Sequence, residues 1–150
     1  MKNFVKQCLI FYVYTTMDIL EAFLKKIKNE ISKEKQKLKK VEDEIFSLAQ
    51  EKNKLEKEYS FLENAIFSDP LSLQMKTGRM LSIIQSIKSI EKDIRLKEEE
   101  AEKLRIKIKE KNAEKKAIEK YKETLKKEKN VEEIKRETQL IDEIFNRNNH

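Results

Sequence analysis

The chain has 150 residues, 41% of them charged and 38% hydrophobic, with a formal net charge of +6 and a single glycine, proline, cysteine and histidine. At average usages near 7% and 5%, a chain this long would hold about ten glycines and seven or eight prolines, so the turns of a layered or all-β fold are missing. One histidine and one cysteine leave nothing to build a nucleophile–base pair, a Cys/His metal cluster or an internal disulfide, and one glycine cannot make a phosphate-cradling loop.

The chain opens "MKNFVKQCLIFYVYTTMDILEAF", with a seven-residue apolar run from Cys8 to Tyr14. A spanning helix needs about 20 apolar residues, and no small-x-small cleavage site follows. Residues 1–16 therefore read as a poorly ordered leader or non-native extension, with Met17 as the alternative start. A membrane-touching anchor and a weak signal peptide are the other readings. The lone Cys8 suits a reducing compartment.

Residues 17–67 read as the first coiled-coil helix. Positions 20, 24, 27, 31, 34, 38, 41, 45, 48, 52, 55, 59, 62 and 66 step by alternating fours and threes, and only Glu34 and Lys52 among them are polar. A 3.5-residue period held this long is a coiled-coil seam, whereas high charge without it would signal disorder.

The stretch "AIFSDPLSLQMKTGRML" holds both Pro70 and Gly78, and residues 68–78 are read as a bend. Asp69-Pro70 is a stop and restart, since proline at the first helical position loses no intrahelical bond. Thr77-Gly78 is read as a second relaxation point, with one helical turn between the two breakers. Thirteen large apolar residues from Tyr59 to Ile87 crowd this region, among them Phe61, Phe67, Leu81 and Ile84 outside the seam. Either the loop packs over them or an apolar patch stays open.

Residues 79–147 read as the second coiled-coil helix with a C-terminal overhang beyond the first, its seam running through 80, 83, 87, 90, 94, 97, 101, 104, 108, 111, 115, 118, 122 and 125. After a phase slip the row continues through Val131, Ile134, Thr138, Ile141 and Phe145. Residues 148–150 form a tail. The fold class is thus all-α, a single antiparallel two-helix coiled-coil hairpin, with helices of about 75 and 100 Å at 1.5 Å per residue. A bend centred near residue 73 sets Glu34 level with Lys111 and Lys115, a compensating charge that would select this register over a straight dimer.

Charge is banded along the helices. Residues 25–40 carry eight lysines against two glutamates, and 103–129 carry twelve bases against five acids, whereas 41–66, 81–102 and 130–146 are acidic. Such a basic belt suits an anionic partner, yet with Tyr121 as its only aromatic it lacks stacking platforms, so nucleic acid is disfavoured. The acidic runs Glu42-Asp43-Glu44 and Glu98-Glu99-Glu100 read as solvated helix faces, and no catalytic, cofactor or metal site is expected.

The stretches "MDILEAFLKKIKNEISKEKQKL", "GRMLSIIQSIKSIEKDI" and "KYKETLKKEKNVEEIKRETQLIDEIFNR" together resemble the FliJ family of the flagellar type III export apparatus over about residues 17–147. The leader and the proline at the bend depart from that pattern. The resemblance implies a non-catalytic, largely monomeric stalk and adaptor in the cytoplasm, peripherally associated with the membrane export apparatus. It implies as partners the hexameric export ATPase, the cytoplasmic part of the export gate and export chaperones, with no small-molecule substrate. Carried over by position, Ile83, Ile87 and Ile90 are the gate-contact candidates. Lys33, Lys35, Lys37, Lys39, Lys115, Lys116, Ile141 and Phe145 are the candidates for gripping the ATPase. The injectisome equivalent of this subunit and an architectural, nucleic-acid-associated coiled coil are the alternatives.

Overall fold

The structure, a computed structural model, describes the backbone of residues 2–148 and the side chains of residues 15–147. Two helices, α1 (Lys2–Asn64) and α2 (Pro70–Asn148), pack against each other as an antiparallel hairpin, with no strand among the described residues. α1 begins well before the position where the heptad pattern opens, because no breaker separates the apolar run from it. Residues 2–16 are thus continuous with the helix. Met1 and tail residues 149–150, His150 among them, lie outside the described residues, as does the Cys8 side chain.

The connection is five residues, 65–69, rather than the whole window 68–78. α1 ends where the Ala65 amide donates to the Phe61 and Leu62 carbonyls at 3.1 and 3.2 Å, the tightened last turn common at helix C-termini. α2 starts as its sequence demands. Pro70 takes the first helical position, and Asp69 Oδ1 accepts from the Ser72 amide at 2.8 Å, an N-cap that satisfies one orphan donor.

Gly78, expected at a relaxation point, lies inside α2 with an ordinary helical backbone. Thr77 also keeps the helix, its hydroxyl donating back to the Leu73 carbonyl at 3.0 Å. A glycine inside a helix costs about 1 kcal/mol against alanine, too little to break a helix held on both sides by seam contacts.

The chain divides into two compact units. One comprises Lys33–Ile108 and contains the bend; the other comprises residues 1–32 and 109–150. In the bend unit the interior is Val41, Ile83, Ile90 and Ala101, with Glu34 buried beside them. Leu38, Ile45, Leu48, Leu55, Ile87, Ile94 and Leu104 are half-buried. In the other unit Leu24, Ile27 and Ile31 are buried, and Leu20, Ile118 and Leu125 are half-buried. These are the heptad positions, which step by three and four so that one stripe of each helix meets the other. Ile66 departs from the pattern: it lies past the end of α1 and is 97% exposed.

Candidate interaction surface

The bend is held by side chains from the start of α2. Lys76 Nζ donates to the Ala65 carbonyl at 2.8 Å and the Glu63 carbonyl at 3.1 Å, and it stands 5.9 Å from the centre of the Phe67 ring. An ammonium on the last carbonyls of α1 satisfies orphan acceptors and meets the negative end of the helix dipole. One turn further on, Arg79 forks onto Glu58, Nε to Oε1 at 2.6 Å and Nη2 to Oε2 at 2.8 Å. The guanidinium holds the Glu58 carboxyl below its ordinary range. Sequence reading missed both contacts, because nothing in a lysine-rich chain marks the one lysine that reaches a helix end.

With its polar groups so occupied, the bend leaves its apolar side chains open. Phe61, Ile66, Leu71, Leu73, Met75 and Leu81 are all more than half exposed. Of the two outcomes framed by the sequence, the loop does not fold over this patch.

The gate-contact candidates lie elsewhere. Ile83 has no exposed surface, Ile90 is 7% exposed and Ile87 is half-buried. Their spacing of four and three makes them the hairpin's own seam, so in the closed hairpin they face α1 and offer a partner almost nothing.

Glu34 is 7% exposed, and its Oε1 accepts from Lys107 at 3.0 Å and from Lys37 at 3.2 Å. Those two ammoniums, Lys107 foremost, outweigh the burial and hold the carboxyl below its ordinary range. Its other oxygen, Oε2, is buried and accepts no hydrogen bond. The seam acid does meet a cross-helix base, as the register argument requires, but that base is Lys107. Lys111 instead reaches Glu30, and Lys115 lies 3.7 Å from Glu119 on its own helix. The shorter connection moves the partner of Glu34 one turn nearer the bend.

Further ion pairs cross between the helices within each unit. In the bend unit they are Lys52–Glu91 at 2.8 Å, Lys97–Glu44 at 2.7 Å and Arg105–Glu42 at 2.9 Å; in the other unit Lys122 meets Glu21 at 2.5 Å. Arg105 also reaches Glu102 and so lies across a groove of roughly 390 Å³ lined by Glu42, Ile45, Glu98, Ala101 and Glu102. No three His, Cys, Asp or Glu side chains gather as metal ligands among the described residues.

The remaining candidates are on the surface. In the bend unit Lys33, Lys35 and Lys39 are exposed and carry no ion pair, whereas Lys37 is engaged with Glu34. In the other unit Lys116 is exposed and Lys115 half-buried. There the seam of α2 changes character along its length. It is half-buried through Ile118, Lys122 and Leu125, and beyond the phase slip it is open, with Val131 51%, Ile134 62%, Ile141 55% and Phe145 67% exposed. No helix among the described residues is long and apolar enough to cross a membrane. Compared with family models, with curated proteins and with solved structures, the chain matches none.

Proposed function

We propose that this chain is a non-catalytic coiled-coil stalk and adaptor of a flagellar-type protein export apparatus, binding the hexameric export ATPase and the export gate and escorting export chaperones. The observation that carries the reading is the exposed row Val131, Ile134, Ile141 and Phe145 at the end of α2, an apolar heptad stripe left open among the described residues. Such a seam is a surface made for a partner. The unpaired lysines 33, 35 and 39 add an electrostatic grip, and the exposed bend residues Leu73, Met75 and Leu81 take the gate contact in place of the seam isoleucines. A lone stalk in a sixfold ring touches each subunit differently and biases their nucleotide states through differential contacts. In this reading the protein works in the cytoplasm beside the membrane-embedded exporter.

Co-purification with the hexameric ATPase and measurement of its turnover test the proposal. Ile141→Asp with Phe145→Asp should abolish co-purification, and Lys33, Lys35 and Lys39 changed to Glu should remove stimulation. Lys37 is left alone because it holds Glu34. Unaltered binding and turnover in both variants would end the reading. The exposed lysines also suit a second one, a nucleic-acid-associated coiled coil, which predicts DNA affinity falling steeply with salt. Absence of binding at low salt removes it.

A further inference from the structure

The open seam at the end of α2 carries a register code. Val131, Thr138 and Phe145 occupy a positions and Ile134 and Ile141 d positions, since the steps run three, four, three, four. The one polar member is already satisfied: Thr138 Oγ1 donates to the Ile134 carbonyl at 2.9 Å. The flanking e positions are Lys135 and Asp142, and the g positions are Asn130, Glu137 and Ile144. Lys135, Glu137 and Asp142 are exposed and make no ion pair among the described residues, which leaves these charges to set a register.

We propose that a second copy of this chain covers the row, the two α2 ends pairing antiparallel with Ile134 against Phe145 and Thr138 against Ile141 of the other copy. Charge complementarity singles out this arrangement. In an antiparallel pair e faces e and g faces g, and in this register Lys135 of each copy faces Asp142 of the other, twice by symmetry. Sliding one heptad in one direction sets Lys135 against Lys135 and Glu137 against Glu137. Sliding one heptad in the other direction sets Asp142 against Asp142. A parallel pair, in which g meets the next e, sets Glu137 against Asp142. Three of the four alignments bring like charges together, and one brings opposite charges together twice. Two heptads give a small contact, so the pairing is weak and concentration-dependent. It goes beyond the stalk reading because it needs no second protein, and it would occupy the same row as the ATPase.

Sedimentation equilibrium of the full chain under reducing conditions tests the pairing. A monomer–dimer equilibrium is expected, with the dimer absent from Ile134→Asp. Asp142→Lys should raise the dissociation constant about tenfold, because two attractive contacts become repulsive, and adding Lys135→Asp should restore it. Circular dichroism checks that each variant keeps its helix. A spin label at Lys127→Cys in a Cys8→Ser background should report a separation near 37 Å, from the 1.5 Å rise over the offset between copies, against under about 20 Å for a parallel pair. A chain still monomeric at about 1 mM, tighter pairing in Asp142→Lys, or the short distance would overturn the proposal. These measurements use this chain alone, so they stand or fall separately from the ATPase experiments.

Discussion

Arg79 grips Glu58 through two parallel hydrogen bonds, joining the first turns of α2 to the last turns of α1 on either side of the five-residue connection. The fork is planar and bidentate, which lysine cannot reproduce. Both side chains are well exposed, 51% and 39%, so water competes for them and the pair steers the bend more than it stabilises the fold. Arg79→Lys should lower the thermal midpoint only slightly while raising amide exchange at residues 61–65. Unchanged exchange there would separate the fork from bend order.

Gly78 offers a sharper test. A Cβ built on it meets nothing within 4 Å, and the residue sits exposed inside α2. Gly78→Ala should stabilise the chain by about 0.5–1 kcal/mol in urea unfolding, by lowering the entropy lost on folding. Destabilisation would mean that the helix bends there.

Burial ranks the isoleucines. Ile83 is fully enclosed, so Ile83→Ala should cost about 2–4 kcal/mol, whereas Ile66→Ala at the open bend should stay within about 0.5 kcal/mol. Urea titration of both variants against the parent chain measures the difference.

Glu34 carries a buried oxygen without a partner, while the lysines that serve its other oxygen are half or more exposed. Replacing a buried ionic group by an apolar one of similar volume is often neutral or stabilising, and here the released ammoniums return to water. Glu34→Leu should raise the urea midpoint at neutral pH while loosening the register. Glu34→Ala, which leaves a gap in the seam, should lower the midpoint.

The ion pairs also set a pH window. Glu21 beside Lys122, Glu34 beside Lys107 and Lys37, Glu58 beside Arg79 and Glu91 beside Lys52 are all held below the ordinary 4.5, and Asp69, bonded to Ser72, is held below 3.8. In acid the unfolded chain binds these protons first, so stability is full above the ordinary values and drains as pH falls through the folded ones. Lys52, against Glu91, and Lys97, against Glu44 and Glu100, are raised above 10.5, so their contribution is full below that value and is lost as pH rises through the folded ones. Thermal midpoints should be level between about pH 5 and 10 and fall on both sides. A midpoint that rises on acidification below pH 4 would contradict the assignment.

Heptad spacing alone identified which side chains line the interior. Leu24, Ile27, Ile31, Val41, Ile83, Ile90 and Ala101 stand on it and are buried, and Asp69-Pro70 announces where α2 begins. These are local or periodic properties, and a 3.5-residue repeat leaves each helix a single stripe to hide. Which acid meets which base was decided only in three dimensions. Lysines recur along both helices, so neighbouring registers have similar charge patterns, and the choice falls to the connection, closed at five residues by Asp69, Lys76 and Arg79. The partner of Glu34 is Lys107 for that reason, and Ile66 is in solvent because the chain has already begun to turn there. A capping lysine acts across 11 to 13 residues, beyond the reach of any local pattern, and only the packed hairpin brings it to the carbonyls it serves.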